Sequence, residues 1–288
     1  MTPPPDDPAA APALMEVLRR STKWLEGKGV TNARRECEWL FCRRLGCSRL
    51  DLYTRFDMPL DDAALDLLRE DLRRRGRREP LAYILGNQPF AGVDLTVTPA
   101  VLVPRPETER LVELALAGIE GRDAPRVLDV GTGSGAIALA IKQALPGATV
   151  AATELSAEAL AVAMANAERL GLEVAFHHGD LLAGLEGSWD LVVANLPYVA
   201  EEERELMDPE TGHEPVGALF APEGGMALVR RLLENLPPVL APEGCAWLEI
   251  GFRQGERTRE AAAAAGLGCA IVPDDAGRDR YARVRGTA

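Results

Sequence analysis

The sequence predicts an α/β protein built on an open, mostly parallel sheet, with a small all-α domain in front of it. Three observations carry that prediction. From about residue 124, apolar runs of strand length alternate with stretches of helical periodicity, the pattern of strands joined by helical crossovers. Up to about residue 80 the apolar residues recur only at helical spacing. A turn with three glycines follows the first strand of the alternating region, where such sheets hold ligands.

Composition bounds the function. The 288 residues are 47% hydrophobic and 26% charged, enough for a large domain with its own core and a small one beside it. No run of about eighteen apolar residues exists to cross a membrane. The first residues, MTPPPDDPAAAPA, lack the charged and apolar regions of a signal peptide and read as a disordered lead-in to a cytoplasmic protein. A formal net charge of −12 argues against broad electrostatic capture of nucleic acid. The odd number of cysteines, five, points to a reducing compartment. Cys37, Cys42 and Cys47 are five apart, about 140° per step on a helix, so they share no face. His177 and His178 are adjacent on a strand and point apart, and His213 is expected in a loop, so no metal site is read.

The elements follow in order. Leu14, Leu18 and Leu25 mark a first helix that Gly27 can end. Thr31 or Asn32 can cap a second, with Ala33, Cys37, Leu40 and Phe41 on one face and Gly46 as its stop. A third, DDAALDLLREDLRRRG, turns Leu65, Leu68 and Leu72 inward. The arginines from Arg73 to Arg78 sit well at its C-terminus, and a contact surface for an acidic partner is the alternative reading. Residues 81–110 form a connector, a short hairpin around VDLTV and then Pro104 and Pro106 bracketing Arg105 before a helix near Glu107. Residues 111–288 hold the sheet. Its strands are RVLDVG, ATVAATE, EVAFHHGD, WDLVVAN and CAWLEIGF, with AIVPD and YARVRG as a terminal antiparallel hairpin. Helices are GAIALAIKQAL, SAEALAVAMANAERLG and MALVRRLLENLPPVL.

The chemistry gathers at strand ends. In VLDVGTGSGAIALA, Asp129 closes a strand, and Gly131, Thr132, Gly133, Ser134 and Gly135 make the turn into a helix. The loop alone does not separate NAD from S-adenosylmethionine. Asp129, directly before the loop, suits the amino-acid end and positive charge of S-adenosylmethionine better than a pyrophosphate. Glu154 ends the second strand, where it can accept both ribose hydroxyls. Asp180 follows the third, placed to accept from an adenine amino group, with Leu181 to cover the ring. At the fourth strand end stands Asn195-Leu196-Pro197-Tyr198.

On these residues the domain resembles the Rossmann-like class I S-adenosylmethionine-dependent methyltransferases, which implies a seven-stranded, mostly parallel sheet. Residues 195–198 resemble the (Asn/Asp)-Pro-Pro-(Tyr/Phe) motif of enzymes that methylate planar nitrogens. The Asn195 side-chain oxygen, which also borders the cofactor, and the Leu196 backbone carbonyl can accept the two N–H bonds of an amide. That fixes the nitrogen and favours a pyramidal transition state, with Tyr198 packing on the planar group. Over residues 12–285 the chain is similar to the HemK/PrmC protein-(glutamine-N5) methyltransferases. Arg105-Pro106-Glu107-Thr108-Glu109 and the Glu-Pro segment from Glu214 to Leu219 carry that likeness.

The resemblance implies methylation of the glutamine in the Gly-Gly-Gln motif of class I peptide-chain release factors, by a monomer that binds no membrane and no nucleic acid directly. Residues 1–80 would then recognise the substrate, with Arg105 and Glu107 as further substrate contacts. Leu196 departs from the usual proline, which removes a fixed φ but not the backbone acceptor. Asn-Leu-Pro-Tyr also resembles ribosomal-RNA adenine dimethylases, so a base amino group is the alternative substrate. A non-catalytic cofactor-binding module and a dinucleotide-dependent dehydrogenase are weaker readings.

Overall fold

The computed structural model describes residues 11–287, so the first ten residues of the expected lead-in lie outside them, whereas its last three are described: Pro12 accepts from the Leu60 N–H at 3.0 Å and Ala13 bridges to Pro59. The chain divides into two compact units, Met1–Leu85 and Gly86–Ala288.

The first unit is helical. Helix α1 (Leu14–Glu26) buries Leu14, Leu18 and Leu25, and Gly27 caps its end. In α2 (Ala33–Leu45), Ala33, Cys37, Leu40 and Phe41 face the core, and Gly46 stops the helix in a left-handed conformation. Asn32 occupies the N-cap position but its side chain makes no capping bond. Helix α3 (Arg49–Thr54) went unread because six residues are too few for periodicity. A reciprocal Ser48–Asp51 capping box starts it. Asp61 caps α4 (Asp62–Gly76) by accepting from the Ala64 N–H at 2.8 Å, and α5 (Leu81–Leu85) completes the unit.

Ion pairs tie these helices together. Buried Glu38 meets Arg34 at 2.7 Å and Arg49 at 2.6 Å, and Asp71 meets Arg44 at 2.5 Å. Within the predicted arginine run, Arg75 pairs with Glu36 and Arg74 with Glu79, each at 2.5 Å, while Arg73 lies 3.6 Å from Glu70. These three cations are engaged inside the unit.

The second unit opens with a hairpin, β1 (Asn87–Phe90) against β2 (Val93–Thr96). Ala91 and Gly92 turn it with φ of +40° and +86°, the twist that antiparallel strands favour. Helix α6 (Pro106–Ala117) begins with proline at its first position, as the missing N–H allows. Strands and helices then alternate: β3 (Arg126–Val130), α7 (Ala136–Ala144), β4 (Thr149–Glu154), α8 (Ala157–Leu170), β5 (Ala175–His178) and β6 (Trp189–Ala194). After β6 come two 3-10 turns, Glu201–Leu206 and Pro209–His213, which take up the loop expected around His213. The one-turn segments α9 (Val216–Leu219) and α10 (Pro222–Gly225) precede α11 (Ala227–Asn235), β7 (Leu240–Glu249), α12 (Gly255–Ala264), β8 (Leu267–Pro273) and β9 (Asp279–Gly286).

The seven-stranded sheet runs β5-β4-β3-β6-β7-β9-β8. The first five strands in that order are parallel, and β9 is antiparallel to both β7 and β8. The central strands β3 and β6 are buried along nearly their whole length because parallel sheets are covered on both faces. The helix expected through Leu240 ends at Asn235 instead, since Pro237 and Pro238 cannot continue it, and Leu240 already belongs to β7. Helix α12 was not expected; its alanine-rich inner face gives little periodic contrast. Chain order reverses between β3 and β6, which opens a crevice at their carboxyl ends. Among the described residues, no helix is long and apolar enough to cross a membrane.

Candidate active site

A cavity of about 400 Å³ opens at that crevice. Its floor is the turn from β3 into α7. The main-chain N–H groups of Gly131 and Thr132 both donate to the Thr153 carbonyl at 2.9 Å, which docks the turn on the end of β4. Gly131 has φ +75°, and a Cβ there would come within 2.9 Å of the Leu196 side chain, so only glycine lets the two strand ends approach. Gly131, Thr132, Gly133 and Ser134 line the cavity, whereas Gly135 faces α7 and α8 instead.

The strand-end acids divide. Glu154 and Asp180 border the cavity, with Leu181 beside them. Glu154 is held in place because Oε2 accepts from the Gly133 N–H at 2.8 Å and Oε1 from the Ser156 N–H at 2.9 Å. Asp180 accepts from Arg231 at 2.7 Å. Asp129 is the exception to the sequence reading: it lies fully buried beneath the turn and is not part of the cavity wall. Its Oδ2 accepts from the Thr132 hydroxyl at 2.5 Å and from the Ala138 N–H at 3.1 Å, joining the turn to the start of α7. Burial pushes this carboxyl up to about 7, against the two hydrogen bonds that pull it down. Its Oδ1 is buried with no hydrogen-bond partner among the described residues.

Asn195, Leu196 and Pro197 form the opposite wall. The Asn195 Nδ2 donates to Thr108 Oγ1 at 2.9 Å, and the Thr108 hydroxyl donates to Glu249 Oε2 at 2.8 Å. Tyr198, expected over the substrate, is turned out of this cavity. Its hydroxyl donates to Glu249 Oε1 at 3.1 Å and accepts from Arg280 Nη1 at 3.3 Å. Tyr198 lines a neighbouring groove with Phe252 and Arg253, its hydroxyl held at the end of β7 by Glu249. Burial and then the adjacent Glu249 raise its phenol above the ordinary range. Burial likewise raises the Glu249 carboxyl, opposed by Thr108, Arg280 and Tyr198.

Arg105 borders the cavity while its guanidinium holds buried Glu214 at 2.5 Å, and Glu214 also accepts from the Val103 N–H. The two sequence strings around Arg105 and Glu214 thus meet in one ion pair. Glu107 is exposed and outside the cavity, and its carbonyl accepts from the Tyr281 hydroxyl at 2.9 Å.

Residues 16–86 match the family described as PrmC N-terminal domain, and residues 111–242 match the methyltransferase small domain. A release factor glutamine methyltransferase of Deinococcus radiodurans is 39% identical over 272 residues, covering 94% of this chain and 98% of its own. One of Bordetella pertussis is 44% identical over 225 residues, covering 77% and 83%. The chain belongs to the release factor glutamine methyltransferase family. A methyltransferase structure from Pyrococcus furiosus shares the fold of this family member, with a TM-score of 0.52 at 22% identity over 68% of this chain and 90% of that one.

Two residues of this methyltransferase site escaped the sequence reading. Thr108 lies inside the Arg105–Glu109 string, whose pattern assigns it no role, and Glu249 closes β7 outside any motif. The signal for Glu249 was the one that picked out Glu154: a single acid closing an apolar strand of a parallel sheet.

Proposed function

We propose that this protein transfers a methyl group from S-adenosyl-L-methionine to the side-chain amide nitrogen of the glutamine in the Gly-Gly-Gln motif of class I peptide-chain release factors. Asn195 carries the reading. Its Nδ2 is engaged by Thr108, which leaves Oδ1 as an acceptor at the wall of a cavity edged by carboxylates.

The residues present fit the cofactor. Its sulfonium and ammonium charges suit a cavity edged by the carboxylates of Glu154 and Asp180. Glu154 would hold the ribose hydroxyls, Asp180 the adenine amino group with Leu181 over the ring, and the main chain of residues 131–134 the amino-acid end. When bound, S-adenosyl-L-methionine supplies an electrophilic methyl group and departs as S-adenosyl-L-homocysteine.

The chain's own work is to prepare the nitrogen. An amide nitrogen shares its lone pair with its carbonyl and is a poor nucleophile. Asn195 Oδ1 and the Leu196 carbonyl would each accept one N–H, holding the nitrogen and favouring the pyramidal geometry in which that lone pair is free. The methylated nitrogen is strongly acidic and sheds a proton to water, so no strong general base is required. Arg105, locked to Glu214, would shape the entrance for the glutamine side chain.

We further assign recognition of the factor to the helical unit, which exposes Trp24, Tyr53 and Phe56. A substrate that works in translation places the protein in the cytoplasm. The test is labelled methyl transfer to a purified release factor, to its Gly-Gly-Gln glutamine variant and to ribosomal RNA. Label is expected in the first alone. Asn195→Ala should lower turnover by roughly 100-fold or more while leaving cofactor binding measurable by calorimetry. Label in RNA and none in the factor would overturn the assignment.

A further inference from the structure

The two ends of the Asn195 amide have nearly the same shape but opposite chemistry, so whether oxygen or nitrogen faces the cavity is decided by its neighbours. We infer that Glu249, acting through Thr108, is a positioning residue that sets the Asn195 amide with its oxygen towards the substrate. This deepens the functional reading above and rests on it.

The donor count carries the inference. A threonine hydroxyl has one hydrogen to give and lone pairs to receive. Both Glu249 oxygens accept, Oε1 from the Tyr198 hydroxyl and Oε2 from Thr108, so at 2.8 Å the Thr108 hydrogen points at Glu249. Thr108 Oγ1 is then free only to accept, and its neighbour at 2.9 Å is the Asn195 amide. Nδ2 must therefore take that side and Oδ1 the other. Without the carboxylate, the Thr108 hydrogen would seek Asn195 Oδ1, and the amide would turn a donor towards a substrate that needs an acceptor.

Burial gives the chain its force. Thr108 is 4% exposed and Glu249 2%, so solvent water does not compete for either group. The second Glu249 oxygen accepts from the Tyr198 hydroxyl, so one carboxylate holds both ends of the Asn195–Tyr198 turn. The three links come from α6, the end of β6 and the end of β7, elements 87 and 141 residues from Thr108 along the chain, which excludes a local capping interaction.

The experiment compares Thr108→Val, Thr108→Ser and Glu249→Met with the wild type. It measures kcat and KM for a release factor, and the Kd of S-adenosyl-L-homocysteine by calorimetry. Valine keeps the shape of threonine without its hydroxyl, and methionine nearly keeps that of glutamate without its acceptors. Thr108→Val should lower kcat roughly 10–100-fold with KM and Kd within about twofold of wild type. Thr108→Ser should restore kcat to within a few fold, and Glu249→Met, if folded, should lose as much as the valine variant. Wild-type kcat in Thr108→Val, no rescue by serine, or a loss confined to cofactor Kd would each overturn the inference, and so would a folded Glu249→Met with full turnover. A wild-type protein that methylates no release factor would instead defeat the functional reading, and the purpose assigned to the chain with it.

Discussion

Replacing Gly225 by alanine would put a methyl group against the main chain of the Asn195–Tyr198 turn. Gly225 is buried with φ +80°, and a Cβ built there collides with the Tyr198 carbonyl oxygen and lies 2.6 Å from Gln254 Nε2. That same Nε2 donates to the Tyr198 carbonyl at 2.8 Å. Three costs add: about 1–2 kcal/mol for a left-handed non-glycine residue, about 1–3 kcal/mol for overpacking against backbone, and about 1 kcal/mol for the weakened hydrogen bond. Gly171→Ala separates them. Gly171 ends α8 in the same unit with φ +65° and has nothing within 4 Å of the added methyl, so it bears the first cost alone.

Urea unfolding followed through the buried Trp189 and Trp247 should therefore show Gly225→Ala about 2–4 kcal/mol less stable than Gly171→Ala at an unchanged m value. Methyl transfer should fall in the first variant only, because moving the Tyr198 carbonyl moves the Leu196 carbonyl two residues before it. A Gly225→Ala protein within about 0.5 kcal/mol of the control and fully active would refute the close approach.

Asp129 makes stability depend on pH with a definite sign. Burial raises its carboxyl to about 7, so from about pH 4 to pH 7 the folded chain holds a proton that the unfolded chain has released. Unfolding free energy from this group then falls as pH rises, by up to about 1.4 kcal/mol per pH unit, and levels off above about pH 7. Asp129→Asn should remove that slope from urea midpoints measured across the range, and an unchanged slope would show the carboxyl is not protonated there. Leu196→Pro should cost about 1–3 kcal/mol, since Leu196 is buried in the core around β3, β6 and α11, yet keep turnover within a few fold because the acceptor is a backbone carbonyl. Wild-type stability in that variant would refute the packing role.

Much of this protein is legible along the chain because its signals are local. The glycine turn, the acids at Glu154 and Asp180, and the Asn195–Tyr198 string each follow an apolar strand, and a parallel sheet brings successive carboxyl ends to one edge. Asp129 fitted the same rule and broke it. Strand position showed that it ends near the turn, but which way the side chain leaves the strand depends on how α7 packs above it. Tyr198 failed for a similar reason: its place in the motif was clear, but the direction of its ring is set by Glu249, 51 residues away.

The sequence by itself determined the order of the strands and of most of the longer helices between them, the identity of the strand-end residues and the family to which they belong. Periodicity, turn chemistry and short motifs are properties of neighbours along the chain. Only the tertiary structure decided which of those residues meet. Arg105 finds Glu214, Asn166 reaches across from α8 to bond the Thr96 and Ser134 main chains, and Glu249 reaches Asn195 through Thr108. Each contact joins buried polar groups from distant elements, and their pairing is dictated by the cost of leaving any of them without a partner once water is excluded.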